Sequence, residues 1–135
     1  MTATLDQLLD DLGGYLDTPD DACMTLPPQA YVSPELLDLE IREIFEKSWL
    51  CVGREEYVPN AGDYFTIDVM GEPVIIVRGT DGKVRALNSA CRHRFMPVVQ
   101  DKGNTKRFTC PYHAWTYATD GRLIGAPHME GSRVF

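Results

Sequence analysis

Leu5, Leu8, Leu9 and Leu12 recur at i, i+3, i+4 and i+7, which puts four leucines on one face of a short helix ended by Gly13-Gly14. Residues 17–30 carry Pro19, Pro27 and Pro28 and no period, so an irregular arm is expected there. Ser33-Pro34 then supplies an N-cap and a first-turn proline. Leu37, Ile41, Ile44 and Phe45 follow as an apolar stripe backed by acids, which predicts a helix from Pro34 to Lys47. After Lys47 the period becomes alternating and turn signals crowd in, the pattern of a small all-β sandwich or barrel. Strands are predicted at Trp49–Gly53, at Asp63–Met70 with Phe65, Ile67 and Val69 on one face, and at Glu72–Arg78 around a Val-Ile-Ile-Val run. Asp81-Gly82 is expected to close a hairpin onto Lys83–Asn88. Asp120-Gly121 should join Trp115–Ala118 to Arg122–Ile124, and Phe108–Cys110 completes the set. The change of period divides the chain into a helical lead-in and arm (1–47), a β domain (48–130) and a short connection (131–135).

Composition narrows the class. A chain of 135 residues buries roughly two thirds of its unfolded surface and needs no staple. With 44% hydrophobic and 24% charged residues it is not collagen, coiled coil or wholesale disorder. The Val74–Val77 run is bounded by Glu72 and Arg78, far short of the ~20 apolar residues of a membrane span. The first eleven residues carry acids where a secretory signal carries bases, so the expected compartment is the cytoplasm, with no membrane partner. Residues 1–47 hold 11 acids and two bases, while residues 48–135 hold nine acids and 11 bases. An acidic first third argues against nucleic acid as a partner, since phosphate binding needs a concentrated basic face.

The chemistry gathers in Cys91-Arg92-His93 and Cys110-Pro111-Tyr112-His113, a C-x-H and a C-x-x-H separated by sixteen residues. Two thiolates and two imidazoles from two loops can close a tetrahedral zinc site, or can hold a two-iron cluster with Cys₂ on one iron and His₂ on the other. A C₂H₂ finger draws its cysteines from one end and its histidines from the other. Here each loop gives one of each, which suits a binuclear centre.

On these motifs, with Gly62-Asp63-Tyr64, Asn88 ahead of Cys91-Arg92-His93-Arg94, and Cys110-Pro111-Tyr112-His113-Ala114-Trp115, the chain resembles the Rieske [2Fe-2S] domains. Among them it is similar to the N-terminal part of Rieske non-haem iron, ring-hydroxylating oxygenase alpha subunits, from about Tyr31 to Glu130. The resemblance implies a mostly β fold, an antiparallel sandwich or barrel with a cluster-binding subdomain, preceded by the helical segment. It also implies that Cys91 and Cys110 bind the inner iron and His93 and His113 the outer one, with Arg94 and Trp115 close by, and that Gly103 and Pro111 shape the turns. Two ferric ions, two sulfides and two thiolates sum to zero, whereas four thiolates give a dianion, so imidazole ligation eases reduction.

Respiratory-chain Rieske proteins resemble this chain but add a cysteine to each loop. Met96 and Tyr112 stand at those places, and Trp115 stands where those proteins have a serine that bonds a sulfide. A low-potential centre of the oxygenase or ferredoxin type is therefore expected. Phe95 and Ala114 replace the more usual glycines of oxygenases, so each loop must either avoid positive φ or store strain. Cys23 and Cys51 match no ligand and read as a loop thiol and a small buried hydrophobe. Six bases from Arg85 to Arg107 face the single acid Asp101, a rim suited to steering an acidic donor.

Oxygenase subunits continue into a catalytic domain in which two His and a carboxylate hold a mononuclear ferrous iron. His128 is the only other histidine, so no such triad is expected in these residues, and the apolar pair Val134-Phe135 suggests a chain cut within a longer protein. By resemblance the protein is an oxidoreductase that takes electrons from a ferredoxin or flavin-dependent reductase. It would pass them through His113 to the mononuclear iron of a neighbouring subunit in a homo-trimer, for O₂-dependent hydroxylation, cis-dihydroxylation or demethylation. The alternatives are a stand-alone Rieske electron carrier and a structural zinc module.

Overall fold

A computed structural model describes residues 4–129, 131 and 132; Glu130, Val134 and Phe135, which figure in the readings above, lie outside them. The chain divides into two compact units, Met1–Leu50 and Cys51–Phe135.

In the first unit, α1 (Leu5–Gly14) is closed at its start by a reciprocal capping box between Thr4 and Gln7 and buries Leu8. The arm is irregular, with 3₁₀ turns at Tyr15–Asp17, Asp20–Ala22 and Pro28–Tyr31. Ser33 caps α2 (Pro34–Glu43) by accepting a hydrogen bond from the Leu36 amide. This helix is shorter than predicted. β-Branched Ile44 caps the helix at φ −117°, stretched from the helical value though still in the right-handed α region, and Phe45–Lys47 tightens into a 3₁₀ turn. The buried face is also shifted by one position: Leu36 is inside, whereas Leu37 and Ile44 are half exposed.

The second unit is two antiparallel sheets. The larger has strand order β3-β2-β1-β4, with β1 (Asp63–Val69), β2 (Glu72–Arg78), β3 (Val84–Asn88) and β4 (Lys102–Asn104); the smaller has order β5-β6-β7, with β5 (Arg107–Thr109), β6 (Thr116–Ala118) and β7 (Leu123–Gly125). Val69 pairs with Glu72, so Met70 and Gly71 form a two-residue turn, both at positive φ as such a hairpin requires. The Asp81-Gly82 and Asp120-Gly121 turns fall where predicted. Trp49–Gly53 is not a strand: it pairs with nothing among the described residues, and both sheet edges belong to other strands. Without a partner its alternation buries little, which leaves Trp49 and Cys51 in solvent.

Strand β4 has no apolar residue to announce it. It is held by pairing with β1 and by Asp63, whose carboxylate accepts from Asn104 Nδ2 at 2.7 Å. Gly62 makes the junction possible. Its N–H donates to the Arg78 carbonyl and its own carbonyl accepts from Thr105, while a Cβ here would lie 2.5 Å from the Thr105 oxygen. Between the sheets, Ile75, Val77, Val98, Phe108, Trp115 and Tyr117 form one core together with Cys91 and Cys110. Phe108 meets Tyr64 edge-on at 5.4 Å.

Candidate metal centre

The two donor loops leave the ends of strands that this core fixes. One follows β3 and is tied at its base by an Ala90–Pro97 bridge; the other joins β5 to β6. Both close with the same backbone hydrogen bonds. Cys91 N–H donates to Met96 O at 2.9 Å and Phe95 N–H to Cys91 O at 2.8 Å; Cys110 N–H donates to Trp115 O at 2.8 Å and Ala114 N–H to Cys110 O at 3.0 Å. The fifth residue of each loop turns the chain back through the left-handed region, Phe95 at φ 56° and Ala114 at φ 58°. Of the two options open in the sequence, strain is therefore the outcome. A non-glycine held there costs on the order of 1–3 kcal/mol, and a bulky residue is the rarer case.

The loops bring all four sequence-predicted donors together. Cys91 and Cys110 are buried at the base, 1% and 3% exposed, and near enough to share a hydrogen bond. His93 and His113 lie together at the outer edge with ring centroids 4.6 Å apart, His93 half-buried and His113 exposed. The donors thus fall into two pairs. Among the described residues no three His, Cys, Asp or Glu side chains gather as around a single ion. Trp115 is both core residue and floor, stacked under the His93 ring at 4.9 Å and 9°.

Burial acts to raise the Cys91 thiol, but hydrogen bonds from Tyr117, the His93 backbone, Cys110 and the Arg94 backbone outweigh it and hold the thiol below its ordinary value. His113 also sits below the usual imidazole value, through desolvation first and then the charges of His93 and Arg94. That favours the neutral ring, the form with a lone pair to offer a metal.

Sequence reasoning missed Tyr117. Its oxygen accepts from Arg92 N–H at 3.0 Å and shares a 3.2 Å hydrogen bond with Cys91 Sγ, in which the phenol is the donor once the thiol has lost its proton. Burial, and then the Cys91 thiol, push the phenol up to about 12, so it stays a donor. The signal was present: Trp115, just ahead of β6, and Tyr117 on it alternate as buried residues, and an inward tyrosine needs a partner for its hydroxyl.

Other expectations are redrawn. Arg94 contributes its backbone, while its guanidinium turns out over the Tyr112 ring at 6.0 Å. Gly103 is not in a donor loop; it lies on β4 beneath Tyr64, where a Cβ would come within 3.0 Å of the hydroxyl. Pro111 does lie in the turn of its loop. Cys51 is exposed, like Cys23, not buried. His128 is exposed. Of the six bases, Arg85 is paired with Asp81; the other five form no ion pair among the described residues.

A family model for the Rieske [2Fe-2S] domain matches residues 48–135. The chain belongs to the Rieske [2Fe-2S] domain family. The protein is similar to the benzene 1,2-dioxygenase alpha subunit of Pseudomonas putida, 37% identical over 97% of this chain and 27% of that protein. It is also similar to the glycine betaine monooxygenase oxygenase subunit of Chromohalobacter salexigens, 44% identical over 79% of this chain and 24% of that one. Among solved structures, naphthalene 1,2-dioxygenase from a Rhodococcus species superposes with a TM-score of 0.83 at 33% identity, covering 96% of this chain and 29% of that chain. A quaternary ammonium Rieske monooxygenase gives 0.76 at 37%, covering 82% and 33%. The chain spans about a quarter of the length of the curated relatives it matches. The cofactor of a Rieske domain is a [2Fe-2S] cluster, and the donor set fits it: two buried thiols, two imidazoles at the solvent edge, and backbone N–H groups of His93 and Arg94 aimed at sulfur.

Proposed function

We propose that Cys91 and Cys110 hold the inner iron and His93 and His113 the outer iron of the cluster. On this reading residues 48–130 form the electron-transfer domain of a ring-hydroxylating-type oxygenase alpha subunit. The observation that carries the assignment is the pairing of donors, two thiols shut into the core and two imidazoles together at the surface. When bound, such a cluster supplies one-electron redox chemistry. The chain's own residues do the rest. Trp115 and the core around both cysteines exclude water, Tyr117 donates to Cys91, and the exposed edge of His113 gives the shortest way out.

The likeness to dioxygenase and monooxygenase subunits supports oxygenase chemistry in the complete protein, with its mononuclear iron outside these residues and O₂-dependent hydroxylation or demethylation as the reaction. Five bases without ion pairs among the described residues support a ferredoxin or a flavin-dependent reductase as donor. In the same reading His113 passes electrons to a neighbouring subunit of a trimer, in the cytoplasm.

Iron and sulfide analysis of an anaerobic preparation, with EPR after dithionite reduction, tests the assignment. Two irons, two sulfides and a rhombic signal of low average g are expected. One zinc and no signal would overturn it.

A further inference from the structure

The ring contacts at the donor edge run in one unbroken sequence. Trp115 stacks under His93 at 4.9 Å, His93 meets His113 at 4.6 Å, and His113 lies against Tyr112 at 3.8 Å with a tilt of 32°. The Arg94 guanidinium, from the opposite loop, stands over the Tyr112 ring at 6.0 Å. Each imidazole thus has a larger aromatic beside it. The two supports differ in what else they do. Trp115 is 6% exposed and belongs to the core, whereas Tyr112 is 57% exposed and its hydroxyl makes no hydrogen bond among the described residues. What Tyr112 contributes is its ring, set between His113 and Arg94.

That placement is specific to this turn. Side chains of consecutive residues diverge in helices and strands alike. Here the loop from Cys110 to Ala114, opened by Pro111 with its fixed φ and turned back by Ala114 at φ 58°, brings Tyr112 alongside the ring of the next residue. His113 needs such a neighbour, because an exposed side chain held by nothing exchanges rotamers within nanoseconds, and a metal ligand has to present one nitrogen in one direction.

We infer that Tyr112 is a positioning residue: its ring holds the His113 imidazole in a single orientation, and Arg94 clasps that ring from the other loop. The inference rests on the ligand assignment proposed above and adds the residue that orients one of the ligands. Ring stacking and a cation over a ring both work without the phenol hydroxyl, so the ring alone is required.

The test compares the cluster-loaded parent with Tyr112→Phe, Tyr112→Leu and Tyr112→Ala. Pulsed EPR of the reduced protein, with ¹⁵N-labelled histidine, reads the orientation of each imidazole through its nitrogen coupling, and bleaching of the visible absorption by a chelator reads the rate of iron loss. The parent and Tyr112→Phe should share one sharp coupling per histidine and one rate. In Tyr112→Leu and Tyr112→Ala the coupling of one histidine should broaden while the other keeps its value, and Tyr112→Ala should bleach about tenfold faster, the upper end of what an aromatic pair contributes. A merely structural role would change the rate and leave both couplings sharp. Two sharp, parent-like couplings in Tyr112→Ala would overturn the inference, as would a Tyr112→Phe that behaves like Tyr112→Ala. Cluster loss confined to Tyr112→Leu and Tyr112→Ala is the expected result in its strongest form. A parent that holds no [2Fe-2S] cluster would overturn the ligand assignment itself, and the inference with it.

Discussion

The Cys91 and Cys110 loops share one backbone plan and differ in almost everything that hangs from it. In each, the cysteine amide bonds the residue five ahead, the residue four ahead bonds back, and a left-handed residue makes the turn. Yet the histidine comes two residues after Cys91 and three after Cys110, and only Cys91 receives a phenol hydroxyl. His93 lies flat on Trp115, while His113 stands in solvent. The backbone therefore builds a nearly symmetric cradle. The side chains give it an inside and an outside, with a phenol hydrogen-bonded at the Cys91 thiol and the His113 ring open to solvent.

If the loops are equal as cradles, Cys91→Ala and Cys110→Ala should each abolish bound iron, read as loss of visible absorption and metal content. Retention in either variant would break the equivalence and the ligand assignment. Next in size, Phe108→Ala removes the side chain packed under both loops and should destabilise the loaded protein by about 3–5 kcal/mol in denaturant unfolding. Tyr117→Phe touches only the Cys91 side. Removing a donor to that sulfur should lower the reduction potential by roughly 50 mV, close to the 59 mV that a tenfold change means for one electron, with iron content unchanged in redox titration. No shift would mean that the asymmetry has no electronic consequence.

Ala114→Gly should stabilise by roughly 0.5–1 kcal/mol, the relieved strain partly offset by greater freedom of the unfolded chain. Phe95→Gly should follow it in sign, since both act through the backbone. The smallest effect is acid sensitivity. Asp63 is held below its usual value, first by the Asn104 amide and then by the Asn60 backbone. A depressed carboxylate contributes stability above its unfolded value near 3.8 that is lost as pH falls toward the lower folded value. Acidification below about pH 4 should therefore loosen the β1–β4 pairing near the Cys110 loop first, seen as faster amide exchange there, and Asp63→Asn should remove that dependence.

Much of this was legible in the sequence. The hairpins declared themselves because alternating apolar residues met dipeptides that accept positive φ, as at Asp81-Gly82 and Asp120-Gly121. The four donors declared themselves by residue type and spacing alone. Strand β4 did not, because Lys102, Gly103 and Asn104 are all exposed and the strand is held by backbone pairing, the Asp63–Asn104 bond and the space Gly62 leaves. Trp49–Gly53 misled for the complementary reason, an alternating pattern with no strand to pair with. The end of α2 turned on one dihedral at Ile44, which periodicity does not encode. Tyr117 went unmarked because the thiol it contacts is 26 positions away in the chain.

The chain has two tryptophans, and they occupy opposite settings: Trp49 is fully open to water, and Trp115 lies in face contact with an imidazole of the donor edge. Their light should divide accordingly. Trp49, fully solvated, is expected to emit at the long wavelength of an exposed indole. With a cluster held by these loops, Trp115 would be quenched by its low-lying electronic states, and loss of the cluster would restore emission at the shorter wavelength of a buried indole. The ratio of the two emissions would then report metal-centre occupancy in dilute solution without label or reductant.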